Sequence, residues 1–255
     1  MMSPRLNQGD KLAHQLLFGN TWAPLTNTIG FINAPLDEAA SIWRNWDETR
    51  PHDARTSVSL TGIEGTLSEL LTSLVPLGTG NRKLFLETSD PQWTAVLDNS
   101  ANGADLSSGL KVQYAQQRGI RTVSVKEVPH TLDKKSYVQH RGRYGIRELM
   151  VWGPGDFVRG IGLVNEDRWV FWSGGEPLAF ENASAYESPR KQDRFTHEML
   201  VTYCQNLGLD PFNEDFYAPN GKGIVVETHV KQTLLKLSLD EARAGYEDRD
   251  VPSSV

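Results

Sequence analysis

The stretch Asp98-Asn99-Ser100-Ala101-Asn102-Gly103-Ala104-Asp105 crowds oxygen-bearing side chains that could bind a hard cation or cap a backbone. Asp98, Ser100, Asn102 and Gly103 match the first half of a calcium loop, where glycine allows a sharp turn while oxygens converge on the ion. The bidentate acid that such a loop needs at about its twelfth position falls on Gly109. Asp105 instead precedes Leu106, Leu110 and Tyr114 at helical spacing as far as Gly119, so it reads as a helix N-cap and the stretch as a strand–turn–helix connection. No metal and no cofactor is expected. His197-Glu198 opens like a zinc-protease helix, but the second ligand one turn later would be Val201. Gly153-Pro154-Gly155, Gly160-Ile161-Gly162 and Gly221-Lys222-Gly223 precede no capped helix in the order of a nucleotide fingerprint, and G-x-S-x-G is missing. Cys204, the single cysteine, lies on an apolar stripe and is expected to be buried and inert. With no catalytic constellation assembled by spacing, a non-enzymatic role is the first expectation.

Aromatic residues suggest a different kind of chemistry. Trp169-Val170-Phe171-Trp172 is apolar on both faces of a strand, with Trp152 on a strand nearby. Such a strand is either covered on both sides or presents aromatic area to a partner. On the second reading Trp152, Trp169 and Trp172 are the anchors of a protein interface, and Glu166 and Asp167, at the tip of the preceding hairpin, are its acidic rim. The rival reading assembles a small-molecule or catalytic site in a cleft between lobes from Asp98, Asn102 and Asp105, with His130 or Arg143.

The elements that must position these residues follow from caps and periods. Asp10 to Gly19 reads as a short helix; Asn33 reads as the cap of another, with Pro35 and the first-turn acids Asp37 and Glu38 ahead of the stripe Ala39, Ile42, Trp43, Trp46. Thr66 and Glu69 form a capping box ahead of Leu67, Leu70, Leu71 and Leu74. Thr196 caps a helix with the stripe Leu200, Tyr203, Cys204, Leu207, stopped by Gly208. Nine β-rich stretches lie between: 28–33, 56–61, 83–88, 93–98, 121–128, 146–152, 158–164, 169–172 and 224–228. Asp90-Pro91 and Asn165-Glu166-Asp167 read as hairpin connections. The expected class is α+β, with a mainly antiparallel sheet and about five packed helices. Residues 1–255 are expected to form one two-lobed domain with a joint near 130–145 and a fraying tail at about 240–255.

Composition narrows the partner. Thirty-two acidic against twenty-six basic residues give a formal charge of −6, which disfavours nucleic acid; the basic loop around Lys134-Lys135 and Arg141 to Arg147 reads as solvated. No stretch approaches the roughly 20 apolar residues that span a bilayer, and the N-terminus has no signal-peptide run, so no membrane association is expected. The lone cysteine fits a reducing cytoplasm.

Trp93-Thr94-Ala95 with Asp98-Asn99, Arg168-Trp169-Val170-Phe171, Pro177-Leu178-Ala179-Phe180-Glu181, Tyr186 and Asp193-Arg194-Phe195-Thr196 ahead of a helix together resemble an uncharacterised group of cytoplasmic bacterial proteins associated with immunity to polymorphic toxins. The resemblance spans roughly residues 80 to 217. It implies a binding protein that neutralises a bacterial toxin domain by occupying its active site, and it carries no catalytic residues with it.

Overall fold

The computed structural model describes residues 17–19, 21–50, 55–132, 143–166, 168–231 and 233–244. The helix expected from Asp10 lies almost wholly outside them, as do Asp167 and most of the basic loop. In chain order the elements are β1 (Thr28–Ile32), α1 (Leu36–Thr49), β2 (Arg55–Glu64), α2 (Leu67–Thr72), β3 (Arg82–Glu87), β4 (Thr94–Asp98) and α3 (Ser107–Gly109), which runs on as a π-helix over Leu110–Gln116. Then come β5 (Thr122–Val128), β6 (Ile146–Gly153), β7 (Asp156–Glu166), β8 (Arg168–Gly174), α4 (His197–Asn206), β9 (Lys222–Val230) and α5 (Leu239–Ala244). The strands form one sheet in the order β2-β9-β3-β4-β1-β5-β6-β7-β8, and every ladder is antiparallel. This is an α+β fold, and all nine stretches read as strands are strands. β5 and β6 pair directly, so the sheet runs without a break past residues 130–145.

Alternation along the strands builds two cores. Ile29, Phe31, Leu84, Leu86, Leu149, Val151, Ile161 and Leu163 point to a first face, covered by α2, α4 and α5. Ile32, Phe85, Val96, Ile224, Val226 and Trp152 point to a second, covered by α1 and the π-helix. β1 and β4, in the middle of the sheet, are buried on both faces, which is why they read as continuous apolar runs.

The helices are fixed by their ends. The Thr66–Glu69 box is formed, with Thr66 N–H donating to Glu69 Oε2 at 2.8 Å. Thr196 Oγ1 accepts from Met199 N–H at 3.3 Å, and Leu200, Tyr203, Cys204 and Leu207 are buried below α4. Thr196→Ala should therefore cost about 1 kcal/mol, measurable as a lower urea midpoint at unchanged m-value. Burial pushes the Cys204 thiol far up, away from thiolate chemistry. One reading changes. Asn33 is not a cap: α1 starts at Leu36 behind Pro35, and Asn33 Nδ2 donates to Gln92 O at 3.2 Å. The helix relies instead on Asp37 and Glu38 in its first turn. The described start of the expected tail is the helix α5. Ser238 and Glu241 form a second capping box, with Ser238 N–H to Glu241 Oε2 at 2.7 Å and Glu241 N–H to Ser238 Oγ at 3.1 Å, and Ala242 is buried against the first core.

Candidate functional site

The register of the sheet assembles what spacing could not. On the second face Leu60, Val226, Lys83 and Asp98 stand side by side on β2, β9, β3 and β4. Thr28, Lys126, Glu148, Gly162 and Trp172 do the same on β1, β5, β6, β7 and β8. The β1–β4 ladder, carried two residues past Gly30↔Val96, sets Thr28 opposite Asp98 and joins the two sets. One row of side chains thus crosses the sheet, with cation, anion, cation and anion at Lys83, Asp98, Lys126 and Glu148.

Two hollows lie along this row. The larger, of about 560 Å³, is lined by Trp43, Trp46, Asp47, Lys83, Asp98 and Asp105 among others. Lys83 Nζ lies 3.5 Å from Asp98 Oδ2 and 5.5 Å from the centre of the Trp43 ring, and it donates to Gly80 O. Asp47 Oδ2 accepts from Thr228 Oγ1 at 2.8 Å. The smaller hollow, of about 370 Å³, is lined by Asn27, Thr28, Asn102, Lys126, Val128 and Arg143 among others, and Gly103 borders both. Arg143 Nη1 donates to Asn102 O at 2.7 Å across its rim. The side-chain oxygens Asn27 Oδ1 and Thr28 Oγ1 have no hydrogen-bond partner among the described residues, although each residue is only 2% exposed. An unpaired buried polar group costs about 1–3 kcal/mol, so these two residues are held there at a loss.

The turn reading of the opening stretch holds: Asp98 Oδ1 accepts from Ser100 N–H at 2.9 Å and Asp105 Oδ1 from Ser107 N–H at 3.1 Å. The same two acids also line the larger hollow, and Asn102 and Arg143 line the smaller. Punctuation and site lining are therefore not alternatives. His130 lies elsewhere: its ring packs edge-on to Trp169 with centroids 5.8 Å apart, and its Nδ1 accepts from Gly145 N–H at 3.2 Å. Burial holds this imidazole below its ordinary value, which keeps it neutral at pH 7. Among the described residues no cluster of three or more His, Cys, Asp or Glu could hold a metal ion. Ser59 Oγ and His229 Nε2 are 3.0 Å apart, but Ser59 sits half-buried on the edge strand β2, His229 is exposed near the end of β9, and neither lines either hollow, so the pair lacks the setting of an activated nucleophile.

Glu148 is half-buried in the middle of the row. Burial pushes its carboxyl above the usual range, Lys126 opposes that shift and Asp105 adds to it. A carboxyl with a raised folded-state pKa stabilises the fold when protonated, and that contribution is lost as pH rises through the folded value. Glu148→Gln should therefore match or exceed the wild-type urea midpoint at pH 7, with the difference vanishing below about pH 4.

The three tryptophans expected to anchor a partner do not share a surface. Trp152 is 2% exposed and packs in the second core. Trp169 is half-buried against the first core. Trp172, three residues on, points to the second face, where its ring lies over β7: a Cβ on Gly162 would come within 2.3 Å of Trp172 Nε1, and one on Gly160 within 2.9 Å of its Cζ3. Phe157, which meets the same Gly160, and Val170, two residues earlier on the same face of β8, are 36% and 39% exposed. Glu166 ends β7 opposite Arg168, which places the hairpin tip at Asp167, outside the described residues.

Behind this hairpin a buried ion pair ties the chain together. Arg159 Nε and Nη2 donate to the two carboxylate oxygens of Glu181 at 2.8 and 2.7 Å, and Nη1 donates to Ser173 Oγ, Gly174 O and Gly175 O at 2.8, 2.8 and 3.0 Å. Tyr186 donates to Glu181 Oε2 at 2.6 Å, its hydroxyl lies 3.1 Å from that of Tyr203, and Asn182 N–H donates to Tyr203 at 2.8 Å. Spacing gave no sign of this network, because its members lie on β7, on β8, in the segment after β8 and on α4. No family model, curated protein or solved structure matches this chain.

Proposed function

We propose that this protein acts by binding another protein through the second face of its β6–β8 edge. The observation that carries this reading is Trp172, laid flat over the side-chain-free positions Gly160 and Gly162 and flanked on the same face by the exposed Phe157 and Val170. A flat aromatic on a hairpin braced from its opposite, first face by the Arg159–Glu181 network loses little freedom on binding, which is the property of an interface hot spot. β8 is also an edge strand whose outer side is unpaired within the sheet, a second means of engaging an extended partner segment. The finer reading, a bacterial toxin domain held with its active site occluded, rests on the family resemblance of residues 80 to 217, and the formal charge of −6 favours a basic partner.

The test uses the polypeptide encoded beside this gene as the first partner, titrated calorimetrically into the full chain. Trp172→Ala should weaken binding by about 30-fold, the equivalent of about 2 kcal/mol. Leu60→Ala, at the opposite edge of the sheet, should leave it unchanged. Wild-type affinity in Trp172→Ala would remove the edge from the interface.

A second reading is favoured by one observation: Lys83, Asp98 and Asp47, all buried, converge with Trp43 on the larger hollow. That arrangement suits a small ligand carrying both charges.

A further inference from the structure

We infer that the smaller hollow, between β1, β5, β6 and the Asn102–Ala104 turn, is a binding site for a small neutral amphiphile with an amide or hydroxyl head. This site is independent of the protein-binding edge. Its deep end is polar and unsatisfied: Asn27 Oδ1 and Thr28 Oγ1 face no partner among the described residues, and Thr26 Oγ1 just before them is in the same condition. Of the three, Asn27 and Thr28 line the hollow, and unpaired buried oxygens there are costly to retain unless something donates to them. Ala104, Val128, Leu132 and Ile146 give the remaining wall an apolar part, beside Lys126 and Arg143. At about 370 Å³ the hollow falls in the range of ligand pockets, about 300–1,000 Å³.

The head is neutral because the two atoms it must satisfy, Asn27 Oδ1 and Thr28 Oγ1, carry no charge. Of the two cations in the lining, Lys126 stands across the ladder from Glu148 and Arg143 Nη1 donates to Asn102 O at 2.7 Å. Asn27 Oδ1 can only accept, and Thr28 Oγ1 can accept or donate. An amide or alcohol satisfies both, whereas a carboxylate would confront Asn27 Oδ1 with a second acceptor. An ammonium group would meet Lys126.

Four probes separate these chemistries: benzamide, benzyl alcohol, benzoate and benzylamine, each titrated into the full chain and followed by backbone amide NMR shifts. Benzamide and benzyl alcohol are expected to give saturable shifts at Thr28, Lys126, Val128 and Ile146, with benzoate and benzylamine about tenfold weaker. Ile146→Trp, which fills the hollow from its half-buried rim, should abolish saturation. Asn27→Asp should reverse the preference, raising benzylamine affinity about tenfold; if it does not fold, the Ile146→Trp result decides alone. The inference falls if no probe saturates, as when an ordered water alone satisfies Asn27 and Thr28. It falls equally if benzoate binds best, or if the shifts survive Ile146→Trp.

Discussion

Glu181→Ala is expected to destabilise the protein by about 3–5 kcal/mol, the cost of leaving a buried charge without its counter-charge. Arg159 is fully buried, and without Glu181 its guanidinium keeps only Ser173 Oγ and carbonyl oxygens, which are dipoles and not a charge. The Tyr186 hydroxyl loses its acceptor in the same step. Burial pushes the Glu181 carboxyl up, but hydrogen bonds from Arg159, Tyr186 and Leu178 N–H outweigh it and hold the group below the usual range. The same carboxylate holds Arg159 above its ordinary value against the opposing effect of burial. A carboxyl with a depressed folded-state pKa contributes stability that is present above its unfolded value, about 4.3, and is lost as pH falls through the folded one. The wild type should therefore lose stability from about pH 4 downwards, and Glu181→Gln should lose part of that acid slope. Urea unfolding followed by tryptophan fluorescence measures both effects. A Glu181→Ala midpoint close to wild type at pH 7 would show that the hairpin is held by packing alone.

Gly175→Ala should cost about 2–4 kcal/mol through the same network. Gly175 has φ of +75°, which glycine tolerates and alanine does not, and an added Cβ would lie 2.3 Å from the backbone oxygen of Val158. The conflict is with backbone, so no rotamer change relieves it. Moving Gly175 also withdraws its carbonyl from Arg159 Nη1. Because both substitutions act on Arg159, the double variant should depart from additivity by about 0.5–3 kcal/mol. Gly174→Ala is the control: its added Cβ would meet Phe157 Cζ at an ordinary 3.5 Å.

The positions of the strands were legible because each strand is a short β-branched or aromatic run, a local property of the chain. Their lateral order was not. Nothing in residues 55–64 signals that β2 forms an outer edge beside β9, since that pairing joins Ser59 to Glu227. The π-helix escaped too, because Leu106, Leu110 and Tyr114 keep a helical stripe whether the turn is tight or wide. Trp152, Trp169 and Trp172 looked alike as aromatic anchors; the pleat sends Trp169 and Trp172 to opposite faces, and the second core takes in Trp152. The alternating row Lys83, Asp98, Lys126, Glu148 depends on the register of five strands at once, and no spacing in the chain encodes it. For Asp98 and Asp105 the turn chemistry was legible and complete as far as it went. That each side chain could brace a turn and also border a hollow becomes visible only when the second face is assembled.

The insertion of β9 between β2 and β3 bears on how the molecule is made. During synthesis the β5–β8 meander can zip up hairpin by hairpin as it leaves the ribosome, because each strand's partner is its neighbour in sequence. β2 emerges early but has no ladder partner until Lys222–Val230 has been translated. Until then β3 keeps an open edge of unpaired N–H and C=O groups between the apolar side chains of Leu84, Phe85 and Leu86, a template for mispairing between nascent chains. The last strand to emerge closes that gap and brings β2 into the sheet in a single step.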